Sequence, residues 1–385
     1  MKMNFRPILL SAIALGLAAT TQLAQAQDQD PIKIGAILSL TGPAAPFGIP
    51  ERTAAQVVID KINKEGGIKG RKLELVVVDD KTNPTEAARA AQRLISSEHV
   101  VAIVGSSTGS GTLAMAPVAA RNKVPVLAPN GTIGVTDSSK EFYPWVFRTS
   151  VSDEVTIPAL VERAKADGAK KIALFYQEDA LGRFSAELIE KMDQKDDGFE
   201  IVSSAAVAMD ATDVSAQVSR IMATKPDAVI LPVSSLGVGG YFLRTAQEMG
   251  LDVPMYGALA FAQNKILELA GDAAVKKLVV ANMINPSHPT SEQQDLYKLI
   301  RDSGSEPAGG FTDLFGANSV AVAGEAIAAA SEVSGQAIRA ALESGTELKA
   351  WAITPYKYGA DDHDGLGASA IVWTKAEGGK FVSAD

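Results

Sequence analysis

Apolar and polar positions along this chain alternate between short apolar runs and longer segments with helical spacing. The apolar run 32–38 ends at a Thr-Gly-Pro turn, and residues 51–64 then show helical spacing until Gly66 and Gly67 stop it. The same alternation recurs several times. Nearly all-apolar strands separated by helices are typical of a parallel sheet covered by helices on both faces.

The first third of the chain is predicted to hold four strands and three helices. The strands are 32–38, 73–78, 100–104 and 124–127, and the helices are 51–64, 86–96 and 113–122. Thr85 is predicted to cap the helix 86–96.

The pattern starts again after residues 147–150. It predicts helices 154–167, 183–193, 214–224 and 237–250 and strands 172–176, 200–206, 228–231 and 255–256. Two further helical stretches, 291–303 and 311–334, would return the chain to its first part. The predicted fold class is therefore α/β, with two Rossmann-like lobes of parallel sheet that enclose one cleft.

The N-terminus has the order of a secretory signal peptide. Lys2 and Arg6 precede the apolar run 8–19, and Ala-Gln-Ala at 24–26 is a small-x-small cleavage site. We expect residues 1–26 to be removed and the protein to be exported to the periplasm. No Cys follows the cleavage point to carry a lipid anchor, and no later segment is long and apolar enough for membrane insertion.

Composition narrows the classes of function. The length of 385 residues suits two domains, and 36 Lys+Arg against 45 Asp+Glu give a net charge of −9, which argues against nucleic acid as a partner. The absence of Cys excludes thiolate nucleophiles and cysteine zinc sites. The acidic run around His363 lacks the ligand spacing of a calcium loop, so we predict a turn there and no metal.

Candidate chemistry lies in two loops that follow apolar strands. Residues 105–112 carry the hydroxyls of Ser107, Thr108 and Ser110, and residues 129–132 repeat this small, polar composition. A loop that leads into a helix N-terminus presents free backbone N–H groups and a positive dipole end, which suits a carboxylate. A serine nucleophile would need a base, and neither a nearby His nor a G-x-S-x-G elbow is present, so we expect no enzyme and no catalytic residue.

Several stretches occur in the order typical of one family. They are 34–43, 62–73, 79–84, 114–119, 126–129, 147–149 and 378–382. In these stretches the chain resembles the leucine/isoleucine/valine-binding protein family, the periplasmic solute receptors of branched-chain amino acid ABC importers.

The resemblance implies a type I periplasmic binding fold with three crossover segments. Lobe 1 would comprise 31–149 plus 283–350, and lobe 2 would comprise 150–282 plus 351–385. Such a receptor closes on its ligand by a hinge motion and delivers it to an inner-membrane ABC permease. We expect a monomer that uses no cofactor.

The resemblance also implies where a ligand is held. In the family, hydroxyls and amides of the two loops bind the ligand carboxylate, an aromatic side chain from the loop after the first strand packs on the ligand, and the second lobe covers the apolar part. The predicted ligand-binding set is Phe47, Ser107, Thr108, Ser110, Gly131, Thr132, Leu181, Ser235 and Leu259.

The identity of the ligand depends on a missing acid. Members that bind amino acids place an acidic residue near 257–261 to pair the ligand ammonium, and this stretch contains none. Because an unpaired buried ammonium would cost several kcal/mol, we favour an aromatic or aliphatic organic acid. The alternatives are a hydrophobic or branched-chain amino acid, with Asp179 or Asp313 as its counter-charge, a ligand-sensing partner of a regulatory system, and an exported hydrolase.

Overall fold

The structure is a computed structural model that describes residues 30–195, 198–351 and 354–384, and the predicted signal peptide lies outside them. The strands of the described part are β1 Ile32–Leu38, β2 Leu73–Asp79, β3 Ala102–Gly105, β4 Val126–Ala128, β5 Val146–Arg148, β6 Lys171–Gln177, β7 Glu200–Val207, β8 Ala228–Leu231, β9 Met255–Gly257, β10 Leu278–Asn282, β11 Val372–Glu377 and β12 Lys380–Ser383. The helices are α1 Ala45–Lys64, α2 Pro84–Ser96, α3 Gly109–Arg121, α4 Asp153–Ala166, α5 Ala180–Asp193, α6 Ser215–Ala223, α7 Leu236–Met249, α8 Asn264–Ala270, α9 Ser291–Asp302, α10 Phe311–Ala329 and α11 Gly335–Leu342.

The first sheet is parallel throughout, in the order β2-β1-β3-β4-β5. Adjacent residues of a strand point to opposite faces, so Ile103 packs with the α2 and α3 side while Val104 packs with the α1 and α10 side. Burial on both faces explains why these strands are apolar along their length. Helices α9 and α11 extend this layer through contacts with α1 and α10, and we call the whole assembly the first lobe.

The second sheet has the order β12-β11-β10-β9-β8-β6-β7 and carries helices α4 to α8, which together form the second lobe. Strands β6 to β10 are parallel, whereas β11 and β12 form an antiparallel hairpin at one edge. Gly378 and Gly379 make the hairpin turn with φ of 59° and 73°, the left-handed values that a tight two-residue turn requires. The predicted α/β class with two Rossmann-like lobes is confirmed, but this hairpin was not predicted.

Two helices that border the cleft begin earlier than predicted. Helix α1 starts at Ala45 instead of residue 51, and α3 starts at Gly109 instead of residue 113. The first helical turns of both contain Gly or Pro, residues that lower helix propensity and so obscure the start. Part of the predicted 105–112 loop is therefore the first turn of α3.

Two other helix ends also differ from the prediction. Asn83, not Thr85, caps α2, because its side chain accepts hydrogen bonds from the backbone of Thr85 and Glu86. The predicted helix 311–334 ends at Ala329, and the separate helix α11 follows.

Three segments cross between the lobes, after β5, after β10 and after α11. The third is attached to the end of β5: the Arg148 N–H donates to the His363 carbonyl at 2.9 Å, and Arg148 Nε pairs with Asp364 Oδ1 at 2.6 Å. The His363 ring stacks between Tyr143 and Phe147, with centroid distances of 4.2 and 4.1 Å. These contacts hold the crossover turn predicted at this position, while the exact lobe boundaries stay predictions. Within the described ranges, no helix combines the length and the apolar character needed to cross a membrane.

Candidate functional site

A cavity of about 50 Å³ lies where the two lobes meet. It is several times the roughly 10–15 Å³ that one water molecule needs, so it has room for a small group of ligand atoms. The first-lobe helices and the loops after β3 and β4 contribute Phe47, Glu51, Ser107, Thr108, Pro129, Asn130, Gly131, Phe311 and Phe315. The second lobe contributes Asp153, Leu181, Ser234, Ala258, Leu259 and Ala260.

The lobes are in direct contact beside this cavity. The Ala180 backbone N–H at the start of α5 donates to Ser110 Oγ in the first turn of α3, at 3.2 Å. Leu181, the next residue, lines the same cavity as Phe47 of the other lobe. The two lobes therefore meet directly beside the cavity.

The N-terminus of α3 forms the polar end of the cavity. Thr108 is the N-cap and its hydroxyl accepts from the Gly111 N–H at 3.2 Å. The other N–H groups of a first helical turn have no partner inside the helix, and the helix dipole makes this end positive. Thr132 is fully buried beside Gly109, and a Cβ added to that glycine would lie 2.0 Å from Thr132 Oγ1. The geometry suits an anion such as a carboxylate.

Glu51 is a buried acid on the wall of this polar end. Its side chain points from α1 into the cavity wall, and Ser107 Oγ lies 2.5 Å from Glu51 Oε2. Burial raises the pKa of Glu51 to about 8, opposed by the Ser107 hydrogen bond and reinforced by the nearby Asp80. Glu51 is therefore mostly protonated at neutral pH.

Asp153 is the second acid of the cavity. It begins α4 with 2% of its surface exposed, and its backbone N–H donates to the Gly131 carbonyl at 2.7 Å. Its Oδ2 atom has no hydrogen-bond partner among the described residues. Burial raises the pKa of Asp153 to about 7, while the positive charge of Arg148 works in the opposite direction.

Apolar side chains from both lobes form the rest of the wall. On the first lobe, Phe311 lies 6.0 Å from Phe47 and 4.6 Å from Phe315, measured between ring centroids. Leu181 and Leu259 face the cavity from the second lobe. The polar end and this apolar end together suit a ligand that is charged at one side and hydrophobic at the other.

Six of the nine residues predicted to bind a ligand line the cavity: Phe47, Ser107, Thr108, Gly131, Leu181 and Leu259. The other three lie behind its walls. Ser110 bridges to the second lobe, Thr132 packs against the α3 N-terminus, and Ser235 caps α7 while its neighbour Ser234 lines the cavity. Contact of any of the nine with a ligand stays a prediction.

The two acids named as possible counter-charges do not line the cavity. Asp179 caps α5 by accepting from the Gly182 N–H, and it also accepts from Ser234 and Gln177. Asp313 accepts from the Gly309 N–H at the start of α10. Both carboxyls serve as helix-end acceptors, and pairing of either with a ligand stays a prediction.

The sequence analysis missed both Glu51 and Asp153. No acid occurs in 257–261, but two acids from other parts of the chain line the cavity, and the preference for an organic acid stays a prediction. Glu51 stands four residues after Phe47, so a helix begun at residue 45 would have placed both on one face. Asp153 follows the Ser152 cap of α4. Acidic residues are common in a first helical turn, where they offset the helix dipole, so its position gave no signal of a binding role.

No group of three or more His, Asp or Glu side chains in the described ranges could hold a metal ion. His363 is packed between aromatic rings, and burial lowers its pKa. The cavity hydroxyls have acids and amides as neighbours, so the arrangement suits binding.

Comparison with known proteins gives a family match over most of the chain. Residues 31–380 match the family model described as periplasmic binding protein. One relative, the leucine-, isoleucine-, valine-, threonine-, and alanine-binding protein of Pseudomonas aeruginosa, is 26% identical, with 88% of each chain covered. Another, the Leu/Ile/Val-binding protein BraC3 of Rhizobium johnstonii, is 27% identical, with 98% of this chain and 100% of the relative covered.

Solved structures share the fold. A branched chain amino acid ABC transporter protein from Thermus thermophilus with bound valine superposes with a TM-score of 0.83 at 19% identity, covering 93% of this chain and 96% of the other. An extracellular ligand-binding receptor from Rhodopseudomonas palustris superposes with a TM-score of 0.82 at 23% identity, covering 92% and 100%. At such identities the likeness concerns the fold alone.

Proposed function

Given that the chain belongs to the periplasmic binding protein family, we propose that it captures a hydrophobic α-amino acid in the periplasm for an ABC importer. The motifs found in the sequence had already indicated this family. The two relatives named above are binding proteins and not enzymes. The inner-membrane permease and the amino acid itself are the parts of this proposal that go beyond family membership.

A single observation carries the choice of an amino acid. Asp153 faces the cavity, is almost wholly buried, and has a carboxylate oxygen without a partner among the described residues. A buried carboxylate needs a positive partner, and a ligand ammonium would supply one. Without such a ligand, burial keeps a proton on much of the Asp153 population near neutral pH.

The relative position of the two polar groups supports the same class. Asp153 adjoins Gly131, since a Cβ on that glycine would lie 2.7 Å from Asp153 Oδ1. The next residue, Thr132, adjoins the N-terminus of α3. A site for a cation and a site for an anion thus adjoin two consecutive residues of one loop, which suits an ammonium and a carboxylate carried by the same carbon.

The apolar wall supports a hydrophobic side chain. Phe47 and Phe311 on one lobe and Leu181 and Leu259 on the other enclose the remaining space. Burial of such a side chain contributes about 1.5–3 kcal/mol of binding free energy, and the contribution is complete only when both lobes surround it. We infer that closure gives affinity and that second-lobe side chains tune specificity.

An aromatic or aliphatic organic acid is the second candidate ligand. Its support is the raised pKa of both cavity acids, about 8 for Glu51 and about 7 for Asp153, each caused chiefly by burial. When both carboxyls are protonated, the cavity holds no negative charge that demands an ammonium. A ligand with only a carboxylate and an apolar body would then suffice.

Calorimetry with matched ligands distinguishes the candidates. Leucine, 4-methylpentanoate (the same skeleton without the amine), 3-methylbutylamine (without the carboxylate) and benzoate would be titrated into the purified protein at pH 7.5. We expect leucine to bind at least 30-fold more tightly than 4-methylpentanoate, equivalent to about 2 kcal/mol for an uncompensated buried charge. Equal or tighter binding of 4-methylpentanoate or benzoate would establish the organic-acid alternative, and consumption of any ligand would contradict a receptor.

A further inference from the structure

Glu51 belongs to a hydrogen-bonded cluster at the polar end of the cavity. Ser107 Oγ lies 2.5 Å from Glu51 Oε2 and 3.1 Å from the Ser39 N–H, which donates to it. The neighbouring acid Asp80 accepts from the Ser39 hydroxyl at 2.7 Å and from the Ser106 hydroxyl at 2.5 Å. Glu51 and Ser107 line the cavity, whereas Ser39, Asp80 and Ser106 are fully buried.

The direction of the Glu51–Ser107 hydrogen bond depends on the protonation of Glu51. A hydroxyl has one hydrogen to donate, and an ionised carboxylate can only accept. When Glu51 is ionised, the single hydrogen of Ser107 must point at Glu51 and is lost to any ligand. When Glu51 is protonated, it can donate to Ser107 Oγ instead, and the Ser107 hydrogen becomes free to point into the cavity.

We propose that Glu51 is a positioning residue that binds ligand carboxylates through Ser107 only while it holds its proton, so that carboxylate capture is linked to retention of one proton. The inference rests on the proposed function, since it concerns the anion end of the same cavity. Ionised Glu51 opposes a ligand carboxylate twice, because it withdraws the Ser107 donor and places a like charge beside the ligand.

The charged and titratable surroundings of Glu51 favour the protonated form. Asp80 from the end of β2 is the charged group close enough to raise the Glu51 pKa, and Asp153 is the other acid on the cavity wall. From α10, the neighbours on the wall are the apolar Phe311 and Phe315, and no Lys, Arg or His lines the cavity in the described part of the chain. Burial therefore meets no compensating positive charge, and the pKa of Glu51 is raised to about 8.

The test compares the wild type with Glu51→Gln, whose amide donates to Ser107 at every pH. Leucine affinity would be measured by calorimetry from pH 6.5 to 9.5, with Glu65→Gln at the exposed end of α1 as the matched control. Between pH 7 and 9.5, we expect the leucine affinity of the wild type and of the control to fall about 30-fold relative to that of Glu51→Gln. This is the loss produced by a group that titrates near pH 8 when only its protonated form binds the ligand. Titration of the ligand ammonium and of Asp153 is common to all three proteins and cancels in this ratio.

A second measurement needs no variant. Calorimetry at pH 8 in two buffers of different ionisation enthalpy should show uptake of about half a proton per leucine bound by the wild type. Parallel pH profiles for the wild type and Glu51→Gln, or no proton uptake at pH 8, would overturn the inference while leaving the proposed function intact. If neither protein binds leucine or 4-methylpentanoate at any pH, the proposed function itself fails, and with it the premise of the inference.

Discussion

Replacing Asp153 with Asn should stabilise the protein while it weakens amino-acid binding. The carboxyl has an ordinary pKa of 3.8 in the unfolded chain and about 7 in the folded protein. Since the folded state holds a proton that the unfolded state has released, stability falls as the pH rises from about 4 to about 7 and stays low above that range. A difference of about three pKa units corresponds to roughly 4 kcal/mol at pH 8 and to under about 2 kcal/mol at pH 5.

The substitution removes this penalty and keeps the shape of the side chain. It also removes a negative charge from the first turn of α4, which costs at most about 1 kcal/mol. We therefore expect Asp153→Asn to raise the free energy of unfolding by about 3 kcal/mol at pH 8 and by much less at pH 5. Urea unfolding followed by circular dichroism at the two pH values measures both quantities.

Binding should change in the opposite direction. Loss of the partner of a buried ammonium costs about 2–5 kcal/mol, so leucine should bind about 30-fold or more weakly to Asp153→Asn. The affinity for 4-methylpentanoate, which has no ammonium, should stay within about threefold. A variant that is less stable at pH 8, or that binds leucine as tightly as the wild type, would refute the placement of the cation site at Asp153.

Three further substitutions test other parts of the molecule. Thr132→Val should weaken every carboxylate ligand by roughly 1–3 kcal/mol in calorimetry, because it removes a buried hydroxyl next to the α3 N-terminus without changing its shape. Ser110→Ala removes the acceptor of the Ala180 N–H and should weaken ligand binding by about 0.5–1.5 kcal/mol, with a smaller effect on thermal unfolding without ligand. Asp364→Ala leaves the buried Arg148 guanidinium without its carboxylate and should lower the free energy of unfolding by about 3–5 kcal/mol in urea.

Each of these has an outcome that contradicts it. Unchanged affinity in Thr132→Val would show that its hydroxyl does not serve the ligand. An equal loss of stability and affinity in Ser110→Ala would mean that the hydroxyl supports the fold and not closure. For the Arg148–Asp364 pair, the control is Asp302→Ala, which breaks the exposed helical pair with Lys298 and should change the free energy of unfolding by less than about 1 kcal/mol. Similar effects of Asp364→Ala and Asp302→Ala would refute the argument from burial.

Local patterns predicted most of the elements because strand and helix periods are encoded by neighbouring residues. Strand β8 and the start of α9 agree with the predicted positions, and β1 agrees over its full length. The predicted and observed elements disagree where contacts with other elements determine the local structure. Strands β11 and β12 are short and half-exposed, and they exist because β10 offers an edge to pair with.

The candidate site divides in the same way. The small-residue loops after β3 and β4 predicted an anion site, because a strand followed by a helix N-terminus can be recognised from neighbouring residues. Glu51 and Asp153 are remote from each other in sequence, and each is an ordinary polar residue of a first or second helical turn. They are cavity acids with raised pKa values because tertiary packing removes both from water, and the sequence does not display that desolvation. The sequence by itself thus determined the fold class and predicted an anion site at the loops after β3 and β4, whereas the charge of the cavity depends on tertiary burial.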